Sequence, residues 1–382
     1  MKPRERVMLA LSHKEPDRIP IDLGATIVSS ITRGAYTALK QHLGLPQEPV
    51  TMLDYVQQLP YLSEDLLEHF EIDFRMVQLP AATAPDLQLF EEGDYYAFID
   101  RWGSKLHMPK QGGLYFDWVD FPIKELSLEA LERYEWPKPD PPEYVSRLGE
   151  QARYLYEHTD YALVGSAVIG GGIFEQPART IGLENFLTAL VTEPKFADRL
   201  MEQITDIYIE SCSQYLDQVG PYIQVFTYWD DLSTQDGWMI RPELYRRMIK
   251  PKQRRLVEAI RRKTNARLFF HACGAVFDLI PDLIDLGFDI VNPVQVSARG
   301  MDTRRLKQTY GKDIVFWGGV DSQHVLPFGS RRDVEEEVKR RIDDLAPGGG
   351  FVLAAVHNIQ DQVPPENVIA MFETALRYGK YQ

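Results

Sequence analysis

From about residue 143 onward, two kinds of apolar pattern alternate along the chain. Apolar positions recur with helical period over 143–158, 181–190, 194–218, 241–263, 275–286, 302–310, 331–345 and 365–378. Between them lie short, nearly continuous apolar runs: YALVGSAV (161–168), IQVFTYW (223–229), ARLFFHA (266–272), FDIVNPV (288–294), DIVFWGGV (313–320) and GFVLAAV (350–356). Runs of that kind are expected of strands buried on both faces of a parallel sheet, and the strand–loop–helix rhythm fits repeated βαβ units. The six runs predict six strands, and the first two of eight are sought in EIDFRMVQL (71–79) and in the hairpin region between Tyr95 and Asp120. No G-x-G-x-x-G opens a helix after any of these strands, and the glycine triplets at 170–172 and 348–350 lack that setting, which argues against a doubly wound open sheet. The pattern therefore predicts an α/β chain whose residues 1–382 form one (β/α)₈ barrel.

The N-terminal part departs from that rhythm. Residues 1–60 read as a helical extension, with periodic segments at Glu5–Ser12 and Ser30–His42 separated by the proline-containing turn EPDRIPIDLG. Between Tyr95 and Asp120, aromatic and polar residues alternate, which predicts a β-hairpin insertion. WPKPDPP, from Trp136 to Pro142, reads as a surface connector that its prolines keep from being helical.

Charge and composition narrow the function. With 42 basic and 56 acidic residues the formal charge is -14, which repels phosphate backbones and excludes nucleic acid as the expected partner. The run KPKQRR, Lys250 to Arg255, reads as the solvated face of a helix. No segment approaches the ~20 consecutive apolar residues of a membrane helix. The charged N-terminus has no apolar signal core, so a cytoplasmic location is expected. Only Cys212 and Cys273 occur. The first sits at an apolar-periodic helix position and reads as a small buried hydrophobe, whereas the second stands at a strand end.

In a parallel barrel, residues just past each strand converge on one open face. Here those positions hold Asp230, Asp231, Thr234 and Gln235, then His271 and Cys273, then Asn292 and Gln295, then Asp321 and Gln323, and last His357, Asn358 and Gln360. Such a density of polar atoms calls for a cavity, a metal or a substrate. His271 and Cys273, two residues apart at a strand end, point to the same side, so one ion can take both, with His357 a third ligand from the same mouth. Nitrogen and sulfur donors together favour zinc. Asp230 and Asp231 suit either a catalytic proton or fourth-ligand role or the capping and pairing of a helix near Arg241. Gln235, Asn292, Gln295 and Asn358 are the candidate substrate-binding amides. Glu175, Arg179 and Tyr228 also fall near strand ends; Arg179 can clamp a carboxylate, or cap a helix or pair with Glu184.

Four ordered segments resemble the uroporphyrinogen decarboxylase superfamily: YWDDLSTQDGWMIRPELYRRMIKPKQRRLVEAI, FFHACGAVFDLIPDLIDLGFDIVNPVQ, FWGGVDSQHVLPFG and APGGGFVLAAVHNIQDQVPPENVIAMFE. The resemblance covers roughly 160–380. The N-terminal RERVMLALSHKEPDRIP is similar to the methyltransferase-like branch. It implies a (β/α)₈ barrel and two chemistries. True uroporphyrinogen decarboxylases carry an arginine-rich segment near the N-terminus that binds propionates. This chain has IPIDLGATIVSS there, so tetrapyrrole decarboxylation is disfavoured. The other branch comprises zinc-dependent methyltransferases of corrinoid systems, with H-x-C after one strand and a second Cys after the last. His271 and Cys273 match the first element, and His357 stands in the last-strand position.

By that resemblance the chain is a zinc-dependent methyltransferase. It would move methyl from a small-molecule donor to a corrinoid protein, or from a methyl-corrinoid to a thiol or folate acceptor. No D-x-H-x-x-G corrinoid signature occurs in the chain, so the corrinoid is expected on a separate partner protein. A homodimer is expected by analogy. The alternative is a metal-free lyase acting on a small organic acid, with Asp and His at the mouth moving the proton.

Overall fold

The structure, a computed structural model, describes residues 1–79, 87–167 and 170–381. Seven short strands run parallel in chain order around one sheet: β1 (Phe74–Val77), β2 (Ala162–Ser166), β3 (Val225–Trp229), β4 (Arg267–His271), β5 (Ile290–Asn292), β6 (Val315–Trp317) and β7 (Phe351–Val352). All six predicted apolar runs hold one of these strands; the last residue of the first run, Val168, lies outside the described residues. The eighth position is filled by the segment 19–22. Ile21 bridges Leu353 in parallel, Asp22 N–H donates to the Leu353 carbonyl (2.9 Å), and on the other edge Asp73 N–H donates to the Ile21 carbonyl (3.2 Å). The chain thus folds as an α/β barrel closed by residues read from sequence as a proline-rich turn. Pro20 has no N–H to give a ladder, which hides the strand from pattern reading, yet its carbonyl accepts from Leu353 N–H.

The region 90–120, where a barrel strand was sought, instead forms an antiparallel sheet of its own. Its strands are Phe90–Glu92, Tyr95–Ile99, Lys105–Pro109 and Asp117–Asp120. The expected hairpin is its centre, where Tyr95–Ile99 pairs with Lys105–Pro109. Phe98, Leu106, Met108 and Phe116 pack into a small core beneath it.

Strand periodicity of two sorts the barrel residues. Phe74, Ala162, Val164, Val225, Phe269, Ile290, Val315, Trp317 and Val352 fill the interior. Alternating with them, Leu163, Phe226, Tyr228, Leu268, Phe270, Val291, Phe316 and Phe351 face outward into the helical layer. The periodic segments become helices at Pro142–His158, Leu183–Thr192, Pro194–Val219, Ile280–Leu286, Thr303–Tyr310, Arg331–Leu345 and Pro365–Tyr378. The segment 241–263 divides into Pro242–Met248 and Lys250–Arg261, because Pro251, in the first turn of the second of these, starts a new helix. The KPKQRR face is less solvated than expected. Lys252 is buried and paired with Asp198 (2.6 Å), while Arg255 reaches Asp206 (2.8 Å).

The helix Pro3–Ala10 sends Val7 into the same interior core, and Leu11 just beyond it does likewise. There Arg6 and Arg18 both clamp the fully buried Asp73, each at 2.7 Å. No helix among the described residues is long and apolar enough to cross a membrane.

Candidate metal centre and its two cavities

Register places the centre. His271 at the end of β4 is level with Trp229 on β3 and Asn292 on β5. Having the inward parity of Phe269, its ring enters the mouth. The Asn292 amide fixes that ring: its Oδ1 lies 2.6 Å from His271 Nδ1, while its Nδ2 donates to the Trp317 carbonyl at 3.2 Å. With the amide so oriented, Nδ1 carries the proton and Nε2 keeps its lone pair. Nε2 lies 3.6 Å from Cys273 Sγ.

His357, beyond β7, brings its ring centroid to 5.6 Å from that of His271. One ligand atom each of His271, Cys273 and His357 lies within 4.8 Å of the others, so the three can hold a metal ion. Bond lengths of about 2.05 Å to nitrogen and about 2.3 Å to sulfur give a tetrahedral N···S edge of roughly 3.6 Å, the spacing already present between Nε2 and Sγ. Burial lowers the pKa of His271, and burial together with the neighbouring His271 pushes His357 down to about 3. Both rings are therefore neutral and able to coordinate. Burial, reinforced by Asp231 and Glu175, raises the Cys273 thiol well above its usual range. A cation is what would favour its thiolate.

Parity also separates the two aspartates. Asp231 lines the cavity and accepts the Cys273 N–H at 2.7 Å. Burial, then Glu175, raises its pKa to about 7. Asp230 points outward with Tyr228 and is fully buried. It accepts from Phe174 N–H (3.0 Å), Glu175 N–H (3.0 Å), Tyr228 OH (2.9 Å) and Gln253 Nε2 (2.9 Å). It sits over the N-terminus of the helix Glu175–Ile181, and burial followed by Glu175 raises it to about 7. Neither aspartate joins the three-residue cluster.

The amides divide similarly. Gln295 Oε1 accepts the Gly274 N–H at 2.6 Å and so holds the turn after Cys273. Asn358 accepts from Ser30 N–H (2.7 Å) and donates to the Ile27 carbonyl (2.9 Å) and to Gln57 (2.8 Å), stapling the N-terminal segment. Gln235 is exposed and donates to Gln323 at 3.4 Å.

The cluster stands between two cavities. An inner one of 580 Å³ is bounded by His271, His357 and Asp231 on one side. The antiparallel sheet and its turns bring Phe98, Trp102, Phe116 and Trp118 to the other. An outer cleft of 660 Å³ is lined by Cys273, His357, Gln235, Gln295, Asn358, His324 and Phe328 among others. The insertion's contribution was not read from the sequence, although its alternating aromatics were the available signal. Arg179 lines the inner cavity too, paired with Glu175 at 2.9 Å rather than with Glu184, and stacked over Trp118 at 4.3 Å.

Residues 95–378 match the family Uroporphyrinogen decarboxylase (URO-D). The chain belongs to the uroporphyrinogen decarboxylase family. Curated relatives include the uroporphyrinogen decarboxylase of Syntrophotalea carbinolica, 27% identical over 189 residues, which are 48% of this chain and 49% of that one. That of Geobacter metallireducens is 23% identical over 282 residues, 70% of this chain and 76% of the relative. The chain thus spans about half the length of the first of these relatives. Among solved structures, a methyltransferase from Methanosarcina mazei superposes with a TM-score of 0.65 at 15% identity, covering 99% of both chains, so the fold is shared from end to end.

Proposed function

We propose that the chain is a zinc-dependent methyltransferase working with a corrinoid carried by a separate protein. The observation that supports this most is the donor set: two neutral imidazoles and a thiol from two strand ends, with the Nε2···Sγ separation of 3.6 Å already at a zinc tetrahedron's edge. A methyltransferase from Methanosarcina mazei uses the same fold. Bound zinc would supply Lewis acidity to the heteroatom that carries methyl, or hold an acceptor thiol as thiolate.

The chain's own residues do the rest. Asn292 aims His271, and Asp231 and Gln295 hold the backbone N–H groups of Cys273 and Gly274. Asp231, near neutrality in its pKa, carries a proton at the cavity wall. Asp230 positions the helix Glu175–Ile181 behind that wall. The small molecule occupies the inner cavity, and the partner's corrinoid approaches the outer cleft, where His357 and Cys273 are reached.

Decarboxylation, the activity named for the curated relatives, needs a cation to hold a carboxylate. Arg101 and Arg179 in the inner cavity are engaged by Asp140 (2.8 Å) and Glu175 (2.9 Å). Metal analysis of the purified protein tests the proposal. One zinc per chain is expected, lost in Cys273→Ser and in His271→Ala. Zinc that survives both substitutions at full stoichiometry, or a folded wild type that binds none, overturns it.

A further inference from the structure

On the early barrel strands the inward series is apolar until it reaches the inner cavity. It runs Phe74 and Met76 on β1, Ala162, Val164 and Ser166 on β2, and Val225, Thr227 and Trp229 on β3. Ser166 and Thr227 are direct partners across the β2–β3 ladder, and Thr227 is level with Phe269 on β4. The two hydroxyl residues therefore sit side by side on the apolar plug of Val164, Val225 and Phe269, and both line the inner cavity as part of its floor. Trp229 and His271 form the next inward level, two residues nearer the mouth. At about 3.3 Å per residue that level lies roughly 6–7 Å further along the strands.

Neither hydroxyl is committed to the fold. Thr227 is buried, and its Oγ1 reaches the Gly165 carbonyl only at 3.4 Å, far longer than the about 2.7–2.8 Å of a good O–H···O bond. Ser166 is partly exposed to the cavity, yet its Oγ is out of water's reach and has no hydrogen-bond partner among the described residues. An orphaned hydroxyl costs free energy that a ligand group can return, and one staggered step about χ1 is enough to turn a serine hydroxyl. The carboxylates elsewhere in the cavity are already engaged, Asp54 by Gln57 N–H (2.7 Å) and Asp100 by Ser104 N–H (2.9 Å).

We propose that Ser166 and Thr227 form a subsite at the floor of the inner cavity for an uncharged hydrogen-bonding group of the small molecule, a hydroxyl or a carbonyl. No ionisable side chain occupies an inward position of β1, β2 or β3. A carboxylate or ammonium at the floor would therefore lose its water with no opposite charge to replace it. A ligand anchored there extends along the strands toward the level of His271. The inference rests on the methyltransferase reading only for the small molecule's presence in this cavity; the preference of the floor needs no metal.

Ligand-observed NMR titration of the full chain, freed of metal by a chelator, tests it with three probes: p-cresol, toluene and anionic 4-methylbenzoate. The phenol should bind roughly three- to tenfold more tightly than toluene, the worth of one neutral hydrogen bond, and the anion should bind least. Ser166→Ala and Thr227→Val should each remove most of that advantage and leave toluene unchanged. Because the Ser166 hydroxyl has no partner to lose, Ser166→Ala should leave the urea midpoint where it was or raise it, whereas loss of a structural hydroxyl would lower it. Should Thr227→Val fold poorly, Ser166→Ala carries the test. A p-cresol affinity no better than that of toluene, an advantage kept in both variants, a tighter 4-methylbenzoate, or a lowered midpoint in Ser166→Ala overturns the proposal. Repeating the titration after zinc is added keeps the two readings apart. A wild type that takes up no zinc yet keeps the hydroxyl preference sinks only the methyltransferase reading, and one that binds zinc stoichiometrically without that preference sinks only the subsite.

Discussion

Asn292→Leu isolates the support of the candidate metal centre from its ligand residues. Asn292 is fully buried and bonds on both sides, to His271 Nδ1 at 2.6 Å and to the Trp317 carbonyl at 3.2 Å. Leucine keeps much of the volume and removes both bonds. Two buried polar groups then lose their partner, at about 1–3 kcal/mol each, so the metal-free protein should lose roughly 2–5 kcal/mol of stability. The effect on zinc is separate. Without an acceptor at Nδ1 the ring can take the other tautomer or rotate, and removal of such an outer partner lowers metal affinity about 10–100-fold, which is roughly 1.4–2.7 kcal/mol. Competition against a chromogenic chelator at constant pH measures the affinity, and urea unfolding of the chelated protein measures the stability. Asn292→Asp retains an acceptor for Nδ1 and should hold zinc more tightly than Asn292→Leu does. An Asn292→Leu protein with wild-type zinc affinity would refute the argument that this amide aims the ligand.

The other expectations are of stability and pH. Asp230→Asn replaces a carboxylate that only accepts hydrogen bonds by a group that also donates, against four donors, and should destabilise by about 1–3 kcal/mol without removing zinc; urea midpoints and metal content check it. Gly274 has φ +99° and a Cβ there would meet the Thr234 carbonyl oxygen at 2.4 Å, so Gly274→Ala should displace Cys273, weaken zinc at least tenfold and destabilise by about 2 kcal/mol, read by the same two assays. Asp22, fully buried against Trp317 Nε1 (2.8 Å), has its pKa raised to about 6, chiefly by burial. Its folded value lies above the unfolded value near 3.9, so the stability it contributes is complete below about pH 4 and declines as pH rises through about 6, by up to roughly 3 kcal/mol. Asp22→Asn should flatten the fall in stability of zinc-free protein between those pH values; an unchanged pH profile would contradict it.

The wall of the barrel and the gathering of His271, Cys273 and His357 at its mouth were legible because both follow from local rules. Continuous apolar runs such as RLFF mark a doubly buried strand, and the residues immediately after them must emerge at the mouth. Parity would also have separated Asp231 from Asp230, since Tyr228 and Asp230 share one face of β3 and its continuation while Trp229 and Asp231 share the other. Two features were not legible. The closing segment 19–22 is held by partners about 50 and 330 residues away and contains proline, so no local pattern announces it. The amides Asn292, Gln295 and Asn358 read as substrate ligands because sequence shows that polar groups gather there, but not which are already satisfied by one another. Their hydrogen bonds to His271, Gly274 and Ser30 make them scaffolding for the centre.

The closing segment has a consequence for how the chain is made. Ile21 can pair with the region of Asp73 once both are made, but its other edge waits for Leu353, which follows some 330 residues later. Until then the growing wall presents an open edge at each end, a template for unwanted pairing with other chains. Beside that seal Gly379 accepts from Ile19 N–H and Arg18 bridges Lys380. Loss of Gly379 and Lys380 would therefore loosen the segment 18–22 that they hold.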